Sequence, residues 1–161
     1  MIILGIDPGI ATTGYGIIEQ DRNGIKLIDY GCIKTEAKND FSERLKKIHQ
    51  ELKKIIKNCK PSAVAVEDIF FAKNSKTAIK VAEARGVILL TVIQLDIPLY
   101  EFTPLQVKQG LTNYGQAPKR QLQKMVAKFL NLDKIPQPDD AADALAIAIC
   151  ASRIIKNNYA R

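Results

Sequence analysis

The chain has 161 residues, of which 47% are hydrophobic and 25% charged. That mix supplies one packed core and excludes a disordered or low-complexity chain. A net charge of +7 suits a polyanionic partner, and no apolar run reaches the roughly 18 residues of a membrane span, so no membrane association is expected. The opening MIILGIDPG has no basic segment ahead of its apolar run, which argues against a secretory signal and for a cytoplasmic location. Cys32, Cys59 and Cys150 are odd in number and widely spaced, and form neither a disulfide framework nor a zinc pattern.

Residues 2–7 read as a buried strand that ends on an acid, Asp7. Residues 14–20 and 25–34 read as two further strands, joined at Asn23-Gly24, a hairpin signal. Over 41–58, Phe41, Leu45, Ile48, Leu52 and Ile55 recur at helical spacing, with Asp40 and Glu43 placed as a capping box. Lys46, Lys47, Lys53, Lys54 and Lys57 fall off that stripe and are assigned to solvent. His49, the only histidine, is read as structural or exposed rather than catalytic. Ala63 to Val66 form another apolar strand stopping at a carboxylate, Glu67. A helix is expected over 74–95, a strand over 98–102, a short helix opened by Pro104, a polar loop over 111–117, a helix opened by Pro118, and a last helix from Asp139 to about Ile155. The order β-β-β-α-β-α-β-α-α-α describes a meander followed by βαβ units. That is an α/β fold with a mixed five-stranded sheet and helices on both faces. With no linker or internal repeat, residues 1–161 are read as one domain with a basic tail at about 154–161.

Asp7 and Glu67 each end an apolar strand. If those strands are parallel neighbours, both carboxylates project at the sheet edge where α/β proteins bind ligands. Asp140 and Asp143 lie three apart and share one helix face, and Asp139 points elsewhere. Helix-start chemistry accounts for Asp139, but less well for Asp143, which sits inside an apolar run. Four converging carboxylates repel one another unless some stay protonated or a divalent cation neutralises them. Hard oxygen donors select Mg²⁺ or Mn²⁺, and two ions about 3.5–4 Å apart can clamp a displacement at phosphorus.

The motifs carry a resemblance. GIDPGIATTGYGII resembles the first motif of RuvC-type Holliday junction resolvases. AVEDIFFAKN resembles their second, VKQGLTNYGQAPKRQL their basic DNA-binding stretch, and DDAADALAIAI their C-terminal acid motif. The four occur in order over nearly the whole chain. The resemblance implies a ribonuclease-H-like fold. It implies an endodeoxyribonuclease that resolves four-way junctions by paired, symmetric, metal-dependent phosphodiester hydrolysis in recombination and repair. Asp7, Glu67, Asp140 and Asp143 would be the catalytic, metal-binding acids, with two Mg²⁺ ions per site and Mn²⁺ able to substitute. Some relatives carry His where this chain has Asp140.

For DNA contact, Phe70 matches the family aromatic that stacks on junction bases, while Phe71 is assigned to the core. Lys108 and Lys119 fall in the basic motif, and Lys73, Lys76, Arg85 and Arg120 are weaker candidates. Lys124 and Lys128 read as surface. The family also implies a homodimer and a branch-migration helicase complex as partners. Ala78, Ala82 and Gly86 form a small-residue stripe that could meet a second copy or pack on the chain's own sheet. Two rival readings share parts of this pattern. Actin-like ATPases share the strand-Asp-glycine opening but need a second lobe, which 161 residues without a repeat do not supply. A non-catalytic junction binder on the same fold would be expected to have lost an acid, and all four are present.

Overall fold

The computed structural model describes residues 1–69 and 75–159. The strands are β1 (Ile2–Asp7), β2 (Thr12–Gln20), β3 (Ile25–Lys34), β4 (Ala63–Glu67) and β5 (Leu99–Phe102). The helices are α1 (Phe41–Cys59), α2 (Ser75–Ile93), α3 (Pro104–Thr112), α4 (Lys119–Phe129) and α5 (Asp139–Tyr159). This is the expected order. The helix α5 runs four residues beyond Ile155, so most of the stretch read as a basic tail continues the helix.

The sheet order is β3-β2-β1-β4-β5. β1, β2 and β3 pair antiparallel, and β1, β4 and β5 pair parallel, giving the mixed sheet the pattern implied. The β2–β3 hairpin turns differently from the Asn-Gly expectation. Residues 21–24 form a four-residue loop in which the Asp21 carboxylate accepts from the Asn23 and Gly24 N–H groups, at 2.7 and 3.0 Å. Gly24 alone has positive φ, 140°. Asp21 therefore closes the turn, as short polar side chains do.

Because strand side chains alternate between faces, the sheet sorts its residues by parity. Leu4, Ile6, Val64 and Val66 face one way, against Ile48, Leu52 and Ile56 of α1 and Ala84, Ile88 and Val92 of α2. Ile3, Ala63 and Ala65 face the other way, against the apolar run of α5, with α3 and α4 alongside. Helices thus cover both faces. On the α5 side the strands carry small residues, and the reason is steric. A Cβ on Gly5 would lie 2.1 Å from the Ala144 carbonyl oxygen, and one on Gly14 would lie 2.0 Å from that of Asp140. The glycines seat a helix backbone directly on the sheet. The close approach at these glycines is made by α5.

Two local expectations are revised. Asp40 is the N-cap of α1, but its side chain makes no capping hydrogen bond. The box forms instead at α3, where the Thr103 hydroxyl accepts from the Gln106 N–H and the Gln106 side chain accepts from the Thr103 N–H. That helix continues through Thr112, which shortens the polar loop to 113–118. His49 is structural. Thr91 Oγ1 donates to the Val87 carbonyl, so His49 Nδ1 donates to Thr91 at 2.8 Å. The three cysteines are free, and among the described residues no helix is long and apolar enough to cross a membrane.

Candidate active site

Parity and register bring the acids together. Ile6 pairs with Val66 across the parallel β1–β4 ladder, so Asp7 and Glu67 end neighbouring strands at the same edge. Asp7 shares the parity of Ile3 and Gly5, and Glu67 that of Ala63 and Ala65, so both belong to the α5 face. The glycine seat presses the start of α5 onto this face, bringing Asp140 and Asp143 to the same place.

Burial and mutual repulsion together govern the charge of these acids. Burial pushes the Asp7 carboxyl up to about 8, with the charges of Glu67, Asp143 and Asp140 adding to it and Lys119 opposing. Burial pushes Glu67 up to about 7, Asp143 adding and Lys108 and Lys119 opposing. Burial also raises Asp143, although Lys119 works against it. Near neutral pH this corner of the protein therefore carries more carboxylates than it can keep ionised without added positive charge.

Lys119, at the first position of α4, supplies part of that charge. Its Nζ lies 3.0 Å from Asp143 Oδ2 and 3.3 Å from Asp139 Oδ2. Partial burial works to lower the ammonium's pKa, but the two carboxylates outweigh it and hold the group above its usual value. One turn on, the Gln123 amide donates to Asp139 at 3.0 Å. Lys119 and Gln123 thus grip the start of α5 from one face of α4. Asp139 is held below the usual carboxylate range by Lys119 and then Gln123, so it serves as an anchor, outside the acid cluster. Lys108 faces Glu67 from α3. Glu67, Asp143, Lys108, Lys119, Pro104, Val107 and Leu122 line a cleft of about 160 Å³.

Arg85, a weaker candidate for DNA contact by sequence, is used differently. In the structure its guanidinium is turned inward: Nε donates to the Glu67 carbonyl at 3.1 Å, and Nη2 meets Asp68 at 3.1 Å and also Glu101. It ties α2 to the ends of β4 and β5. No periodicity in the sequence marks it, because its partners are strand-end groups brought near only by the topology. Lys124 and Lys128 are exposed, as expected of surface groups, and Arg120, a weaker candidate for DNA contact, is exposed as well. Phe70, Phe71 and Lys73 lie outside the described residues.

The donor set is all hard oxygen with uncompensated charge, which fits a divalent cation. Among the described residues no three such groups stand as a ready-made metal cage, and Asp143 is engaged by Lys119.

Residues 3–151 match the family model of the crossover junction endodeoxyribonuclease RuvC. The chain belongs to the RuvC family. It is 58% identical over 152 residues to the RuvC of Caldicellulosiruptor saccharolyticus, spanning 93% of this chain and 91% of that relative. To the RuvC of Thermosipho melanesiensis it is 55% identical over 150 residues, spanning 93% and 96%. Among solved structures, Thermus thermophilus RuvC in complex with a Holliday junction substrate superimposes with a TM-score of 0.89 at 32% identity, covering 98% of this chain and 96% of that one. The yeast mitochondrial Holliday junction resolvase, at 16% identity and a TM-score of 0.69, shares the fold. The RuvC fold thus accounts for the sheet order, the five helices and the sheet edge on which the acids gather.

Proposed function

We propose that this chain is a structure-selective endodeoxyribonuclease that resolves four-way DNA junctions by paired, symmetric phosphodiester hydrolysis, in recombination and repair. The observation that carries the reading is the convergence of Asp7, Glu67, Asp140 and Asp143 on one sheet edge beside Lys108 and Lys119. In this reading the four acids hold divalent cations, two Mg²⁺ per site with Mn²⁺ able to replace them. When bound, the cations neutralise charge that develops on the phosphate and acidify the attacking water.

The chain's own residues do the rest. Burial of Asp7 and Glu67 keeps bulk water from screening the acids, so the site favours added cations strongly. Lys108, and Lys119 once it exchanges Asp143 for phosphate, draw the backbone into the cleft. Arg85 fixes the strand end that carries Glu67. Phe70 is proposed to stack on a junction base.

A junction is resolved cleanly only when two symmetry-related strands are cut, which calls for two sites on a two-fold axis. The surface proposed for a second copy is the outer face of α2. Ile79, Leu90 and Ile93 are more than half exposed there, and a Cβ on Gly86 would meet nothing within 4 Å. Ile79, Ala82, Gly86, Leu90 and Ile93 follow helical spacing. Ala84, Ile88 and Val92 take the sheet-facing side, so the outer stripe has no partner within the described chain. A branch-migration helicase complex as partner and a cytoplasmic location, which suits three free thiols, complete the proposal.

The test is incubation of the protein with labelled four-way junction, duplex and RNA–DNA hybrid. Cutting of the junction in Mg²⁺ and Mn²⁺ is expected, with binding but little cutting in Ca²⁺. Junction binding without cutting in any metal would favour the non-catalytic reading. Full cutting in excess EDTA would overturn the metal mechanism.

A further inference from the structure

Beside the acid cleft lies a second, larger hollow of about 440 Å³, lined by Thr103, Pro104, Leu105, Lys108 and Gly115. It shares Pro104 and Lys108 with the cleft, so the two are continuous. Its lining is largely apolar, and Leu105 on its wall is 55% exposed. The next residue before Gly115 is Tyr114, also 55% exposed. The phosphate backbone has little use for an apolar hollow. A nucleobase, flat and attached a few bonds from its phosphate, has.

The surroundings are rigid. Pro104 and the Thr103–Gln106 capping box set the start of α3. Asn113 ends that helix in the left-handed region, φ 58°. Thr112 Oγ1 accepts from the Tyr114 N–H at 3.1 Å, and the Tyr114 carbonyl accepts from the Ala117 N–H at 3.0 Å. The backbone of Tyr114 is thus pinned while its ring is left in solvent. Gly115 lets Leu105 lie close against the loop, where a Cβ would come within 2.8 Å of Leu105 Cδ1 and push that side chain aside. An aromatic ring on a fixed backbone, exposed at the residue next to an apolar hollow that Lys108 lines, is the arrangement that receives a base by stacking.

We propose that this hollow takes one nucleobase of the cut strand, adjacent to the phosphate in the acid cleft, with Tyr114 and Leu105 as its contact surfaces. The site would select where along the strand the enzyme settles, because only one base can enter when a given phosphate lies at the acids. This inference rests on the nuclease reading of the same cleft.

A double-mutant cycle between protein and DNA tests it. Four-way junctions carrying a single abasic tetrahydrofuran nucleotide, moved one position at a time past the exchange point, are titrated with the full chain in Ca²⁺. The variants are wild type, Tyr114→Ala and Tyr114→Phe. Tyr114→Ala should bind the intact junction roughly tenfold more weakly, the loss typical of one base stack, and Tyr114→Phe should bind as wild type. At one position the abasic junction should cost wild type a similar factor and cost Tyr114→Ala nothing further. Tyr114 is exposed and makes no side-chain hydrogen bond among those described, so the variant keeps its melting temperature. Wild-type affinity for Tyr114→Ala, or losses that multiply at every position, would overturn the base pocket while leaving the nuclease reading intact. Failure of wild type to bind the intact junction would overturn both.

Discussion

Arg85 Nε donates to the backbone carbonyl of Glu67 at 3.1 Å, and this contact joins helix α2 to the strand end that carries an active-site acid. The contact holds the main chain of Glu67 and leaves its carboxylate free for the site. The other contacts of Arg85, to Asp68 and Glu101, aim the guanidinium and offset its charge at a position where it is 15% exposed. The two acids are about half exposed, so these ion pairs add little stability on their own.

Arg85→Lys should therefore act on alignment more than on folding. A lysine reaches one partner at a time and loses the fork that spans a carbonyl and two carboxylates. The expected result is cleavage slowed by ~10- to 100-fold, the range that small misplacements of a catalytic group produce. Junction affinity should stay within about twofold, and the Mg²⁺ concentration for half-maximal cutting should rise. An unchanged Mg²⁺ requirement with a lowered melting temperature would show Arg85 to be structural only.

Asp7→Asn should abolish cutting and make the protein more stable. The sign follows from the raised carboxyl, about 8 in the fold against an ordinary 3.8. Between those values the folded chain holds a proton that the unfolded chain has released, so this group weakens the fold progressively as pH rises from about 4 to 8. Asparagine keeps the shape and never ionises. In EDTA the variant's melting temperature should exceed that of wild type by several degrees at pH 8, and the gap should shrink towards pH 4.5; ~1 kcal/mol is worth about 2–4 °C in a chain of this size. Junction binding should persist, since it rests on phosphate contacts. A gap that fails to widen with pH would mean that Asp7 is not strained by burial. Cutting at the wild-type rate would remove it from the active site.

The acids were legible in the sequence because a buried strand ending in a carboxylate is a local pattern, visible twice, at Asp7 and Glu67. The parity that turns both toward α5 follows from the β1–β4 register and the path of α5, which only the fold supplies. The glycine seat was not legible either. Gly5 and Gly14 are ordinary strand glycines until the path of α5 is known, and only the fold shows that a carbonyl occupies the place of each missing Cβ. Asp40 looked like a capping residue by type and spacing, yet the side chain that closes a box is Thr103, seventeen residues before Arg120 in the basic motif. Type and spacing are shared by far more sites than form the bonds. The outer face of α2 was ambiguous because Ile79, Val81, Val87, Ile88 and Leu90 surround the helix. Its sheet-facing side had to be seen before the exposed side could be identified.

Lys119 should affect metal and DNA in opposite directions. Its ammonium sits 3.0 Å from Asp143, where it partly replaces the charge a divalent cation would bring. Lys119→Ala leaves Asp143 without that neighbour, so the Mg²⁺ requirement should fall. The same change removes a phosphate contact, so junction affinity in Ca²⁺ should weaken and the slope of log affinity against log salt should flatten by about one. Lys108→Ala should flatten the slope alike, with a smaller effect on the metal, because Lys108 makes no ion pair among those described. Titration of cleavage against Mg²⁺ at fixed ionic strength, beside binding at several salt concentrations, reads both effects. If Lys119→Ala raises the Mg²⁺ requirement, its role as counter-charge to the acids is wrong.

The outer stripe of α2 should be where two copies meet. Leu90 and Ile93 are each exposed by more than half, on a helix whose opposite side is packed against the sheet. An exposed apolar row of this kind is costly in water and signals a contact surface. Gly86 sits at its centre with open space around it, so another helix can approach closely. Leu90→Asp places a charge in the middle of that contact. A buried unpaired carboxylate costs several kcal/mol in an interface, whereas on an exposed monomer surface it costs almost nothing. The variant should therefore still fold and melt cooperatively, at a temperature independent of its concentration, and run as a monomer by light scattering over a dilution series in which wild type stays dimeric. In a supercoiled plasmid carrying an extruded junction, wild type should cut both strands within one binding event, and Leu90→Asp should release singly nicked product. Monomeric wild type at every concentration, still making paired cuts, would show that two-fold assembly through α2 has no part in the reaction.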